Sequence, residues 1–247
     1  MGRPAIAPVE VAVGRRRPRS LVRGFAGGRG RSYTASVLSQ SDERRLVAGA
    51  RTVGVDLAPL QVRALSAYAE LLTTWNRRIN LTALDSPSEV VDRHFVDSLA
   101  LSPLLPREAS LLDVGSGGGF PGAVVALVRP DLRVTLCESR GKRVAFLQAL
   151  VSRLRLGAKV VAARSEDLAR EHRLYDGVVS RAVLPLAEWV AHGSELVGPG
   201  GLLLAMVGPA PAELPAIAGF GPAEVVPYRL PDGVEHTLLR WRRLSPA

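Results

Sequence analysis

Asp113 is followed by five glycines within nine positions, in the stretch Leu111 to Gly122 that reads LLDVGSGGGFPG. Leu111, Leu112 and Val114 suit a buried parallel strand. Gly115, Gly117, Gly118 and Gly119 let the backbone turn sharply and approach a ligand, and Phe120-Pro121 opens a helix whose first N–H groups are expected to face it. Gly117, Gly119 and Gly122 also fit the dinucleotide fingerprint, so the glycines alone do not choose between cofactors. Asp113 tips the choice. A carboxylate there sits badly beside a pyrophosphate and well beside the amino group and sulfonium of S-adenosylmethionine (SAM). Glu138, about 20 residues beyond the loop, ends the next strand and is placed to accept from both ribose hydroxyls of an adenosine. Ser165-Glu166-Asp167 follows the third strand, where the adenine edge would be read.

Elimination narrows the reaction. The only lysines, Lys142 and Lys159, have no tyrosine four residues before them, which removes the short-chain dehydrogenase pair. Two lysines so placed also cannot supply the set used in ribose 2'-O methylation. Cys137 lies inside the second strand, away from the edge where a pyrimidine-attacking nucleophile would stand. The place after the fourth strand reads Ser180-Arg181-Ala182-Val183 rather than the Asp/Asn-Pro-Pro-aromatic loop of exocyclic-amine methylation. His94, His172, His192 and His236 show no ligand spacing, so no metal site is expected. What remains is direct transfer to an atom with a free lone pair, such as guanine N7, which needs positioning but no general base. Arg181 is the expected base-positioning group, with an ion pair to Glu166 or another acid of the pocket as its alternative role.

These residues need a scaffold of alternating strands and helices. Strands are expected at Arg133 to Glu138, Val160 to Ala163, Tyr175 to Ala182 and Gly201 to Val207, with helices at Lys142 to Leu156 and Pro185 to Val197. Val225 to Leu230 and His236 to Leu244 flank Pro231-Asp232-Gly233 as a closing antiparallel pair. Upstream, a helix begins at Ser39, whose spacing to Asp42 is that of a capping box. A second carries the stripe Leu65, Tyr68, Leu72, Trp75 and Ile79, in which Trp75 reads as core. A third begins at Ser86-Pro87-x-Glu89 and sets His94 beside Asp97 and Ser98 at α-helical spacing, a cluster that by itself reads as surface pairing.

Charge separates the chain further. Residues 1 to 40 hold eight arginines and one acid, leaving 24 basic and 22 acidic residues for the rest of a chain whose net charge is +9. The organisation expected is a disordered Arg/Gly-rich extension over 1–38, a helical segment over 39–106 and the cofactor-binding domain over 107–247. An RNA-binding arm and an organelle transit peptide are the alternatives for the extension. No apolar run approaches the roughly 18 to 20 residues that span a bilayer, and the single cysteine cannot form an internal disulfide, so a soluble cytoplasmic protein without membrane contact is expected.

Taken in order, Trp75-Asn76, Asn80-Leu81-Thr82, Arg93-His94-x-x-Asp97-Ser98, Asp113-Val114-Gly115-x-Gly117-x-Gly119-x-Pro121-Gly122, Gly141-Lys142-Arg143 and Ser180-Arg181-Ala182 closely resemble RsmG, the bacterial 16S rRNA guanine-N7 methyltransferase family formerly called glucose-inhibited division protein B. The resemblance covers about residues 40 to 245. It implies an α/β, Rossmann-like SAM-dependent methyltransferase fold, with a mostly parallel seven-stranded sheet, an antiparallel final strand and an N-terminal helical cap. It implies a monomeric enzyme that methylates guanine 527 in the decoding region of 16S rRNA, in the 30S subunit or its assembly intermediates. Gly115, Phe120, Ser165, Glu166 and Arg181 then correspond to cofactor-contacting positions, and His94 and Asp97 to the pocket wall. Val207-Gly208 departs from the family's Lys-Gly, and Glu138 stands where the acid is often Asp. A ribosome-associated RNA-binding protein without turnover, and a methyltransferase acting on a small molecule or protein, are the competing readings.

Overall fold

The computed structural model describes residues 37–84, 86–181 and 184–245, so most of the arginine-rich extension lies outside the described residues. Seven strands form one sheet in the order β3-β2-β1-β4-β5-β7-β6. Their ranges are β1 Ser110–Val114, β2 Arg133–Glu138, β3 Ala158–Ala162, β4 Tyr175–Arg181, β5 Val197–Val207, β6 Glu224–Arg229 and β7 Glu235–Arg242. β1 pairs in parallel with both β2 and β4. The chain therefore leaves β1 toward one side of the sheet and returns to the other, and a crevice opens at the carboxyl ends of β1 and β4, where open α/β sheets bind ligands. β7 runs antiparallel to both β5 and β6. This is the Rossmann-like methyltransferase architecture, with one antiparallel strand.

Helices cover the sheet: α1 Gln40–Thr52, α2 Pro59–Ile79, α3 Pro87–Val90, α4 Asp97–Leu99, α5 Gly122–Val128, α6 Gly141–Leu154, α7 Ser165–Arg170 and α8 Leu186–Ser194. Ser39 caps α1 as its sequence announces: Asp42 N donates to Ser39 Oγ at 3.2 Å and Ser39 N to Asp42 Oδ2 at 2.9 Å. The α2 stripe buries Leu65, Tyr68 and Leu72, and Trp75 packs edge-on to Phe146 with ring centres 5.8 Å apart. Leu46, Leu65, Tyr68, Leu72 and Phe95 share one core with Leu111, Leu136, Val179 and Leu204, so the segment 39–106 is a layer of the sheet's own core. Leu38, expected in the extension, is only 2% exposed and belongs to that core.

Three local expectations are corrected. The segment after Ser86 is not a continuous α-helix: between α3 and α4, Val91–Val96 is π-wound, a wider turn that recurs at functional sites. α8 stops at Ser194 rather than running to Val197. β5 starts at Val197, because Gly198, Pro199, Gly200 and Gly201 are absorbed as an irregularity opposite Tyr175 and Gly177.

Candidate functional site

The glycine loop is tied down from below. Gly115 N and Ser116 N both donate to Cys137 O, Gly119 N and Phe120 N to Ser116 O, and Gly117 N to Glu138 Oε2 at 3.1 Å. Gly122 N, at the start of α5, donates to Asp113 Oδ2 at 2.9 Å. The loop thus spends its donors internally and does not present the row of free N–H groups that a pyrophosphate requires. This corrects the expectation that the helix start faces the ligand, and it favours a cofactor without phosphate.

Asp113 itself is also corrected. Its carboxyl is fully buried beneath the loop and does not line the cavity above it, and Oδ1 has no partner among the described residues. Burial pushes its pKa up to about 6, against the Gly122 and Ser116 hydrogen bonds that lower it. The unfolded chain loses this proton near 3.8 and the folded chain near 6, so folding stability falls as pH rises through that window. Asp113→Asn should gain about 2–3 kcal/mol relative to the parent between pH 4 and 7. Urea unfolding of both proteins at several pH values checks this, and a pH-independent difference would refute it.

Gly119 is the second correction. It lies behind the turn rather than on the cavity, with φ +89 and with the Tyr68 hydroxyl and Ala123 where a Cβ would stand. Tyr68 OH donates to Gly118 O at 2.5 Å, and its ring lies parallel to that of Phe120 at 5.4 Å.

The remaining expected cofactor positions meet around one cavity of about 830 Å³: Gly115, Gly117, Phe120, Glu138, Ser165, Glu166 and Arg181 all line it. Glu138 accepts from Gly117 N and from Arg140 N at 2.8 Å, which leaves lone pairs for two further donors. Ser165 Oγ is 2.7 Å from His192 Nε2. Arg143, unmarked as a site residue in the sequence, lines the same cavity with Nη1 3.9 Å from Glu138 Oε2. Burial pushes the Cys137 thiol up to about 12, so it is no thiolate nucleophile.

Arg181, at the end of β4, meets the π-wound segment. Its Nη1 donates to Asp97 Oδ2 at 2.9 Å and to Arg93 O at 2.8 Å, and Nη2 lies 3.0 Å from His94 Nδ1. His94 Nδ1 stands between that donor and the Arg93 carbonyl at 3.1 Å, and Nε2 is 2.7 Å from Thr82 Oγ1. Burial, then the Arg181 charge, pushes the His94 pKa down to about 3, keeping the ring neutral. That ring stacks on Phe120 at 4.3 Å, and the Arg181 guanidinium carbon is 5.1 Å from the Phe120 ring centre. Burial opposes the charge on Asp97, but His236, Arg181 and Tyr228 outweigh it and hold the carboxyl below its usual range. The acid that pairs with Arg181 is therefore Asp97, and Glu166 is not its partner. His94 and Asp97 are 8% and 2% exposed, which rules out mere surface pairing.

A second cavity of about 560 Å³ adjoins the first, with His94, Arg181 and Leu184 lining both. Ser180, Trp189, Val207, Gly208 and His236 are among the other residues of its wall. Trp189 is 2% exposed with Nε1 bonded to Leu204 O, and Tyr175 sits at the opposite end of β4 from Arg181. His236 and Tyr228 reach this region because β6 and β7, the antiparallel pair expected around Pro231-Asp232-Gly233, fold back beside β5. Among the described residues no group of three potential metal ligands is gathered, and no helix is long and apolar enough to cross a membrane.

A profile of the GidB family, described as rRNA small subunit methyltransferase G, matches residues 61–214. A relative named ribosomal RNA small subunit methyltransferase G from Anaeromyxobacter sp. (strain Fw109-5) is 38% identical over 202 residues, covering 78% of this chain and 94% of its own. The chain belongs to this family. Another member, from Stenotrophomonas maltophilia (strain K279a), is 44% identical over 190 residues, covering 74% of this chain and 86% of its own. The solved structure of cofactor-bound Rv0187 from MTB superposes with a TM-score of 0.52 at 16% identity, covering 74% of this chain and 91% of that one, a likeness of fold. Within the GidB family match lie Arg93, His94, Asp97, the glycine loop, Glu138 and Arg181, whereas Tyr228 and His236 fall beyond its end.

Proposed function

We propose that this protein is a cytoplasmic, monomeric enzyme that transfers a methyl group from SAM to N7 of a guanine in the decoding region of 16S rRNA, guanine 527 by family resemblance, within the 30S subunit or its assembly intermediates. The observation that carries the reading is the shared wall: Arg181 and His94 line both the glycine-loop cavity and the second cavity. Such a wall brings a cofactor and an acceptor base edge to edge at the carboxyl ends of β1 and β4. Membership in the rRNA small subunit methyltransferase G family supports RNA as the acceptor.

The residues fit SAM. Glu138 retains acceptor capacity for two ribose hydroxyls, Ser165 and Glu166 would stand at the adenine end, and Phe120 and the glycine loop would flank the other. When bound, SAM supplies an electrophilic methyl group on a sulfonium. The protein's part is positional. Of the five N–H hydrogens of Arg181, those on Nη1 go to Asp97 and Arg93, and one on Nη2 goes to His94. The hydrogen on Nε and the second on Nη2 remain for guanine O6. N7 needs no base, and neutral His94 offers none.

The test is methyl transfer from labelled SAM to 30S subunits lacking N7-methylguanosine, followed by chain cleavage specific for that base. One labelled cleavage site in the decoding region is expected. SAM binding without RNA labelling would overturn the substrate assignment.

A further inference from the structure

His236, at the start of β7, lines the second cavity and has no part in the arrangement around Arg181 except through Asp97. Its Nδ1 is 2.8 Å from Asp97 Oδ1, which also accepts from Tyr228 OH at 2.6 Å. A carboxylate accepts only, so Nδ1 carries the hydrogen, and in the neutral form of the ring Nε2 is a lone pair. Nε2 has no hydrogen-bond partner among the described residues, and the ring stands edge-on to Tyr228 with centres 6.0 Å apart. On the same cavity wall, Ser180 Oγ is buried and likewise without a partner among the described residues. A buried polar group in that state is expected to meet a polar ligand. His236 lines the second cavity and not the glycine-loop cavity, so an acceptor seated in the second cavity would meet it on the side away from the cofactor.

The chemistry of the two purines makes this position matter. Adenine and guanine both offer an unprotonated N7, so the reacting atom cannot tell them apart. A purine whose N7 is turned toward the cofactor turns its N1 and C2 edge away from it. There guanine carries N1–H and an amino group, both donors, whereas adenine carries a lone pair at N1. We propose that His236 selects guanine, accepting at Nε2 a hydrogen bond from N1–H or the 2-amino group of the acceptor base, with Asp97 and Tyr228 as positioning residues that hold its tautomer. An adenine in the same place would set two lone pairs against each other. This rests on the guanine-N7 reading above and adds the determinant of base identity to it.

The experiment compares the parent protein, His236→Leu and His236→Asn on 30S subunits carrying guanine or adenine at the target position. For His236→Leu, kcat/KM on guanine should drop about 10- to 100-fold, while the rate on adenine, relieved of the opposed lone pairs, should rise or hold and SAM affinity should equal the parent's. Asn, whose side-chain oxygen can accept, should recover part of the guanine rate and of the preference. A guanine-to-adenine ratio unchanged in His236→Leu, or equal losses in the Leu and Asn variants, would overturn the proposal. If the parent protein labels no guanine at all, the functional reading falls and takes this one with it, which separates the two failures.

Discussion

Replacing Arg181 by alanine should lower kcat/KM for methyl transfer by about 100-fold while leaving the glycine loop and its bonds to Glu138 and Cys137 intact. The guanidinium joins β4 to the π-wound segment through Asp97, Arg93 O and His94, and it stands over Phe120. Its removal frees the His94 ring and leaves Asp97 with only His236 and Tyr228. Breaking a buried ion pair costs about 3–5 kcal/mol when nothing else compensates. The two surviving donors to Asp97 should hold the loss of folding stability to about 2–3 kcal/mol. Arg181→Lys is the informative partner. A point charge can still pair with Asp97, so stability should largely return, but the fork that holds Asp97, His94 and a base oxygen together cannot be rebuilt. Turnover near the parent rate in either variant, with SAM saturating, would sink the role given to this residue.

The second large effect is expected at Gly119. Alanine there meets two obstacles at once. The backbone sits at φ +89, where an L side chain is strained, and the added Cβ points at the Tyr68 hydroxyl and, at 3.1 Å, at Ala123 Cβ and Leu150 Cδ2. Strain and overpacking together should cost about 3 kcal/mol, or roughly 6–12 °C in Tm for a chain of this size. SAM affinity should fall with it, because the Tyr68 hydroxyl must leave Gly118 O and the loop above it shifts. Thermal unfolding and calorimetric titration with SAM check both. Gly141→Ala is the control: nothing lies within 4 Å of a Cβ there and it opens α6, so no loss of Tm is expected. An unchanged Tm in Gly119→Ala would mean that the turn behind the cavity is not the constraint described.

Much of this architecture is legible in the sequence because it is written in local patterns. Ser39 with Asp42, the α2 stripe, and the alternation from β1 to β5 each follow from spacing within a single element. The glycine loop is equally visible, yet its role is easily misread. Glycine content reveals that the backbone turns tightly, but not whether its N–H groups point at a ligand or at Cys137 O, Ser116 O and Asp113. Asp113 shows the same limit. Its type and place suggest a partner for a cation, whereas its burial under Gly122 makes it a strut of the loop. The Arg181 cluster depends on contacts more than 80 positions apart in the chain, and the π-wound turn at Val91–Val96 carries no sequence mark. His236 is legible in the sequence as a histidine without ligand spacing at the start of the last strand, but its contact with Asp97 is not.

The antiparallel run of β7 also bears on the order of events at synthesis. Asp97 is made early, but two of its three side-chain donors, Tyr228 and His236, belong to the hairpin that follows every other strand in the chain. Until that hairpin is translated, Asp97 has Arg181 as its one side-chain donor among these three. The acceptor wall is therefore assembled last. A chain cut off after β5 would lack Tyr228 and His236, and with them that part of the wall of the second cavity and of the hold on Asp97.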